Sequence, residues 1–558
     1  MEGATAYKAL KEGFVSGMTG SSVGHINMIS CVALASIALH STLRTRLPPQ
    51  RTIHFPAEFL ILVAPLLLSV TLFANSPGFL LLVILIPTSV LLLVPRREAG
   101  TPLPSTHTAS RPPSRQTSPI RDAASSSTSN ASVPPLAVIP PLPALTIYRS
   151  HMMLLTAICI LAVDFPVFPR SLAKCETFGA SLMDLGVGSF VFSQGVVSAI
   201  PLIKNPTYLR ARVLSKLISV TRKSLPLLVL GLLRTLSVKG VEYPEHQSEY
   251  GTHWNFFVTL ALVPILQVLL HPLMVYLPIS SLGLILAISH QMALSQGGLM
   301  NYILVAPRNS WVSSNKEGII SLTGYLAIHL LGLSAGTVLL PPSPSFFRRM
   351  QHVLQNPNAS LTDEHASRSG SESDDDTPGR KRARVGYRRE NDKTATELCS
   401  YAVVWWVALG AIRLVGTGGG ISRRVVNLPY IVWVAAFNTS FMLAYLLLDL
   451  VFFPSPLSKS VYSPTSKLKV QPDPVLLNRD RTNAKGTDGT QIAPALLEAV
   501  NRNGLVIFLI ANVLTGLINL VIPTMYVSDW WAMVTLFSYA FMISAIAWLA
   551  KDRRLLRV

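Results

Sequence analysis

Charge is scarce in this sequence. Asp, Glu, Lys and Arg make up 13% of it, about half the share usual in soluble proteins. The 558 residues are therefore not a string of soluble domains, although length alone would allow one. Cysteine is scarce as well. Cys31, Cys159, Cys175 and Cys399 show no CxxC or metal-ligand spacing, so neither a disulfide framework nor a metal site is expected. Three of them lie in or beside apolar runs, where cysteine serves as a small packing residue. HExxH, Walker and dinucleotide motifs are absent, which excludes the chemistries those motifs carry. Residues 1–25 are polar and Gly/Ser-rich and run into a long apolar stretch. No cleavable signal peptide is expected.

What the chain has instead is apolar length. Half of its residues are hydrophobic. They gather into about thirteen runs, near residues 26–44, 55–74, 77–95, 151–168, 178–200, 224–238, 254–274, 276–297, 318–340, 397–416, 428–452, 503–523 and 529–549. A helix needs about 20 apolar residues to cross the hydrocarbon. Backbone in lipid must satisfy its own hydrogen bonds, and the alternation of barrel strands is absent. The expected fold is an all-α polytopic integral membrane protein of about thirteen transmembrane helices. The run at 224–238 is short, and almost nothing separates 254–274 from 276–297. Pro201, Pro264, Pro272 and Pro278 fall in or near spans, where proline kinks helices.

The formal net charge of +19 collects in the connections between runs. That is the pattern of cytosolic loops facing anionic headgroups, and no nucleic-acid partner is expected. Basic residues cluster from Arg44 to Arg51, at Arg96 and Arg97, from Lys204 to Lys223, from Lys459 to Lys469 and from Lys551 to Arg557. This balance puts the N-terminus in the lumen and the C-terminus in the cytosol. Arg170, Lys174, Arg423 and Arg424 run against it. Three long polar segments, 98–145, 341–393 and 453–500, fall on the cytosolic side. They cannot bury enough apolar surface to fold alone and are expected to be disordered insertions in one multi-span domain. The sequons at Asn130 and Asn358 would then face the cytosol unmodified.

Five shorter polar connections share the opposite face. The N-terminal FVSGMTGSSVGHIN carries His25 and Asn27. The stretch LAVDFPVFPRSLAKCETFGASLMDLGVGSFVFSQ carries Asp164, Arg170, Lys174, Glu176 and Asp184. The others carry Glu242, Glu245, His246, Glu249, His253 and Asn255; Arg308, Asn309, Asn315 and Lys316; and Arg423, Arg424 and Asn427. Charges gathered on one face suggest a shared pocket, and near a membrane each needs a partner.

Asp164 and Lys174 are the sharpest pair. Asp164 ends an apolar helix, and the stiff Phe-Pro-x-Phe-Pro turn is expected to bring Lys174 back towards it. Desolvation makes a carboxylate a better base, and a nearby ammonium opposes that. The same pair reads equally well as a salt bridge stabilising a helical hairpin. His246 and His253 fit hydrogen-bonded interfacial groups as well as catalysts. Gly186, Gly188 and Ser189 form a small face suited to close helix packing. Asp184 and Arg234 are intramembrane charges, each a functional candidate or a neutralising partner.

The long stretch containing Asp164 resembles the signature of a known family, the inositol acyltransferases of glycosylphosphatidylinositol (GPI) anchor synthesis, known in fungi as GPI-anchored wall transfer proteins. EYGTHWNFF, LPYIVWV and NGLVIFLIANVLTGLINL are similar to later blocks of that family. The resemblance covers the spans and short loops and leaves out the long polar insertions. It implies a multi-pass enzyme of the endoplasmic-reticulum membrane. Such an enzyme moves a fatty acyl chain, usually palmitoyl, from acyl-coenzyme A (acyl-CoA) to the inositol ring of glucosaminyl-phosphatidylinositol. Membrane lipid and these two substrates are the implied partners, with acyl-CoA as co-substrate, no bound cofactor and no metal. The family's acidic and lysine residues fall on Asp164 and Lys174, the expected catalytic residues. Asp164 would take the proton of the inositol hydroxyl, and Lys174 would steady the oxyanion or orient Asp164.

Arg170, Asp184, Glu245, His246, His253, Asn255, Arg308, Asn309 and Arg423 are the expected substrate-binding residues. Among them Arg308, Arg423 or His253 would hold the lipid phosphate. Apolar cavities in the bundle would hold the acyl chain. Cys175 departs from the family pattern and is given no role. A lipid-headgroup transporter or flippase is the rival reading. It should show internal repeats with matched broken helices, and no convincing repeat is seen.

Overall fold

The computed structural model describes residues 10–47 except 12 and 15, 53–95, 139–240 except 140, 247–355, 389–453 except 417, and 493–555. Its main helices, in chain order, are α1 (Val23–Arg46), α2 (Pro143–Ala162), α3 (Leu182–Lys204), α4 (Val213–Gly240), α5 (Phe256–Leu269), α6 (Ile279–Ser295), α7 (Lys316–Leu339), α8 (Asn391–Val415), α9 (Leu428–Phe452), α10 (Gly504–Val521) and α11 (Asp529–Leu549). Eight of these, all but α4, α5 and α6, are long and apolar enough to cross a membrane. Shorter apolar helices stand at Phe55–Val70, Pro77–Leu92, α5 and α6, and α4 covers the run at 224–238. The described residues contain no β-strand, only an isolated bridge between Ser21 and Ala180. The architecture is consistent with a polytopic membrane protein.

Helix ends follow local chemistry. The side chains of Ser22, Ser181, Asn255 and Asn427 accept backbone N–H groups in the first turns of α1, α3, α5 and α9, satisfying donors that have no partner within the helix. Prolines shift the other ends. The span expected at 151–168 is observed as α2. It begins at Pro143, a favourable first-turn position, and stops before Phe165-Pro166, where the residue ahead of proline disfavours helix. Asp164 thus lies beyond the helix, in the following turn. The run at 254–274 is broken in two. α5 ends at Leu269, and a new helix, His271–Tyr276, starts with Pro272 in its first turn.

Two of the segments expected to be disordered contain helices at their edges. Phe346–Gln355 is helical, with Phe347 and Met350 buried. Ala495–Arg502 is helical, with Leu496, Leu497 and Val500 buried. Each short helix has one apolar face that docks on the bundle, which an average over the whole segment conceals. Glu58, itself buried, accepts the Leu496 N–H at 2.7 Å and pins the start of the second helix. The central parts of all three insertions, with both sequons, lie outside the described residues.

α7 and α9 form the centre. In each, 72% of the apolar window is buried, against 17% in the peripheral α8 and α10. α3 crosses α7 almost backbone to backbone. A Cβ on Gly195 would lie 2.1 Å from the His329 carbonyl oxygen, and one on Gly332 would lie 2.1 Å from that of Phe192. Gly188 meets side chains of α9, with Val434 Cγ2 2.4 Å from where its Cβ would be. Small residues permit such approach, and dispersion contacts follow from it. Gly186, by contrast, opens onto a cavity.

Candidate active site

The cavity has a volume of about 1440 Å³, beyond the usual range for small-ligand pockets. α2, α3, α4, α5, α9 and α10 all contribute to its wall. On α4 the lining runs from Ser219 to Arg234, and on α2 from Tyr148 to Ile160. At 1.5 Å per residue, each run is about 20 Å long. The cavity therefore extends over most of the depth of a bilayer core. Its wall is largely apolar, with Leu155, Ile160, Leu227, Leu230 and Phe508 among the lining residues. One end carries Lys174, Glu249, Tyr250, Arg234 and Asn519. The other carries Arg149, Lys223 and Arg502.

Lys174 does not pair with Asp164. Its ammonium meets Glu249, at 2.9 Å from Oε1 and 3.0 Å from Oε2. Glu249 stands in a short helix, Gln247–Tyr250, just ahead of α5. Arg423 approaches the same carboxylate at 3.8 Å and binds Asp184 through Nε at 2.6 Å. Asp184 is held further by the Ser181 hydroxyl at 2.8 Å and the Cys175 N–H at 2.9 Å. The Tyr430 hydroxyl donates to the Asp184 carbonyl at 2.7 Å. These groups make a chain of alternating charge, Lys174–Glu249–Arg423–Asp184, whose Arg423–Asp184 pair is almost fully enclosed. Burial alone would lower the Arg423 guanidinium's pKa, but Glu249 and Asp184 outweigh it and hold the group well above its ordinary range. Burial, assisted by Asp184, pushes the adjacent Cys175 thiol up to about 12.

Asp164 has other partners. The Asn519 amide donates to its Oδ2 at 2.8 Å, and Lys11 lies 3.4 Å from its Oδ1. Lys11 and Thr524 both donate to the Asn519 carbonyl oxygen, at 2.8 and 3.1 Å. Asp164 is buried and does not line the cavity, whereas Asn519 does. The carboxylate thus sits one side chain behind the wall. Its neighbour Arg170 caps the turn, donating to the carbonyls of Val163, Phe165 and Phe168 and stacking on Phe14 at 4.2 Å. Burial pulls the Arg170 guanidinium down to about 10, with Asp164 opposing. The N-terminal segment that brings in Lys11 is stitched to the same stretch. Glu176 N–H donates to the Met18 carbonyl and Ser21 N–H to that of Ala180, at 3.2 and 2.7 Å.

Comparison with known proteins places this chain in a family. The GWT1 family model matches residues 7–550. The chain belongs to the GWT1 family. It is 36% identical to GPI-anchored wall transfer protein 1 of Aspergillus oryzae, over 98% of both chains. It is 36% identical to the protein of that name from Aspergillus fumigatus, over 97% of both. A third, from Cryptococcus neoformans var. grubii, is 41% identical over 74% of this chain and 63% of its own length. The resemblance read from the Asp164 stretch is thereby borne out across the chain.

The structure sorts the other expected site residues of this GWT1 family member. Arg308 does not reach the cavity lining. It forms a two-pronged pair with buried Glu317, at 3.0 and 2.6 Å, which Arg424 joins at 3.2 Å. Asn255 caps α5 and donates to the Gly231 carbonyl at 2.7 Å, tying α4 to α5. His253 and Asn309 are exposed and do not line the cavity. Glu245 and His246 lie outside the described residues. Sequence reasoning placed Glu249 in its loop without giving it a role, and it gave no role to Lys11, Asn519 or Glu317. No local motif marks these residues. Their one common signal is a charge or amide in a short connection that needs an opposite number.

Proposed function

We propose that this protein is the inositol acyltransferase of GPI-anchor biosynthesis, acting in the endoplasmic-reticulum membrane. It moves a fatty acyl group, palmitoyl by family resemblance, from acyl-CoA to an inositol hydroxyl of glucosaminyl-phosphatidylinositol. The observation that carries this reading is the long apolar cavity whose one end is furnished with Lys174, Glu249 and Asn519 and whose other end holds cations. An acyl chain needs length and apolar lining. A thioester carbonyl needs a cation where negative charge develops. The phosphates of coenzyme A need Arg or Lys at the cytosolic mouth, and Arg149, Lys223 and Arg502 are suited to that.

In the reaction the inositol oxygen attacks the thioester carbon, and its proton ends on the departing sulfur. The new C–O bond forms, the C–S bond breaks, and coenzyme A leaves as the thiol. Lys174, at the cavity wall, stabilises the oxyanion. Asp164 acts on this end through Asn519, whose amide it fixes. Polar groups also interrupt the apolar wall partway along. His151 Nδ1 meets the Tyr445 hydroxyl at 2.8 Å, and Tyr148 donates to Asn438 at 2.5 Å.

The test is acyl transfer from acyl-CoA to a glucosaminyl-phosphatidylinositol analogue by purified full-length protein. Asp164→Asn and Lys174→Ala should each lower turnover by about 10²-fold or more at normal protein levels. Lipid movement across reconstituted vesicles without any acyl transfer would overturn the reading in favour of a transporter.

A further inference from the structure

We infer that Glu249 is a positioning residue for acyl transfer, holding the Lys174 ammonium at the furnished end of the cavity. The inference rests on the acyl-transfer reading above and adds a residue to it.

Lys174 is a flexible side chain, 38% exposed, on an irregular connection. Left alone, its four-carbon stem would let the charge wander among many rotamers. Both oxygens of Glu249 face it within 3.0 Å, which confines the ammonium to one place. Glu249 is confined in turn. Its side chain is 18% exposed, and Arg423 reaches it from a pair with Asp184 whose side chains are 2% and 1% exposed. Tyr250, the next residue, has its ring 5.6 Å from the Arg423 guanidinium. Fixed geometry therefore passes from the capped first turn of α3, through Asp184, Arg423 and Glu249, to Lys174.

Asp164 has no equivalent role. Its oxygens face Asn519 and Lys11. The other nearby carboxylate, Glu176, accepts the Gly17 N–H at 3.1 Å. Glu249 also separates two cations. Without its charge, Lys174 and Arg423 would repel each other, and Lys174, the more exposed of the two, would swing away.

The experiment compares wild type, Glu249→Gln, Glu249→Asp, Lys174→Met and the Lys174→Met/Glu249→Gln double variant as full-length proteins in detergent. In Glu249→Gln, kcat should fall about 10²-fold while KM for acyl-CoA stays unchanged. Glu249→Asp should recover a large part of the loss. The double variant should be no slower than Lys174→Met, because Glu249 acts through Lys174. A normal kcat in Glu249→Gln, or losses that add in the double variant, would overturn the inference. A second readout does not use turnover. Labelling of Lys174 by a small amine-reactive reagent at fixed pH, read by peptide mass spectrometry, should be severalfold faster in Glu249→Gln. Equal labelling rates would overturn the pairing. Absence of acyl transfer by the wild type would instead sink the proposed function, and labelling would still decide whether Glu249 holds Lys174.

Discussion

Replacing Arg423 by Met should be among the most destabilising single changes available in this protein. Met keeps much of the side chain's length and removes its charge. The loss falls on Asp184, whose side chain is 1% exposed and whose Oδ1 lies 2.6 Å from Arg423 Nε. Two neutral donors would remain to the stranded carboxylate, the Ser181 hydroxyl and the Cys175 N–H. They offset only part of its desolvation. Breaking a buried pair from one side costs about 3–5 kcal/mol, and this geometry belongs in that range. Asp184→Asn should cost less, because Arg423 still has Glu249 at 3.8 Å. The double variant should lose clearly less than the sum of the two. Unfolding of purified protein in mixed micelles, followed by tryptophan fluorescence, gives the three values. An Arg423→Met protein within about 1 kcal/mol of wild type would refute the reasoning, as would a coupling energy below about 0.5 kcal/mol.

Two further expectations concern glycine and cysteine. Gly195→Ala places a methyl group 2.1 Å from the His329 carbonyl oxygen, so α3 and α7 must separate. The cost should be about 1–3 kcal/mol, visible as a lower unfolding temperature. Gly186→Leu points into the cavity, with Thr156 Oγ1 4.0 Å from the new Cβ, and should leave that temperature nearly unchanged, yet it fills the cavity and should abolish acyl transfer. Cys175, whose thiol burial pushes up to about 12, stays protonated as pH rises from 7 to 9. Its alkylation by N-ethylmaleimide should therefore remain negligible over that range in the folded protein and become rapid in SDS.

The all-helical, membrane-spanning character was legible because apolar length is a direct statement about lipid, and eight of the expected runs are helices long and apolar enough to cross a membrane. The turn at Phe165-Pro166 was legible because proline has few options. Gly188 was read correctly as a packing glycine for the same local reason. The choice of partners was not legible. Lys174 lies ten residues from Asp164 in sequence, yet its carboxylate comes from Glu249, 75 positions away. Asp164 draws its donor from Asn519, 355 positions away. Which loops meet depends on the order of helices around the bundle, and no single-sequence pattern encodes that order. Arg308 and Arg423 were expected to hold a phosphate because Arg suits that group, whereas each is met by a carboxylate of the protein, Glu317 and Asp184. The helix Ala495–Arg502 was missed because its four buried apolar residues were averaged into a polar segment.

Glu58 grips the first turn of that helix from 438 positions earlier in the chain. Whatever the connecting chain between α9 and Ala495 does, it re-enters the bundle at an address written elsewhere. Length in that connection thereby becomes a free variable. An affinity tag, a protease site or a complete break between residues 454 and 492 would meet a helix whose start is already fixed. The two halves carry their own instructions for rejoining.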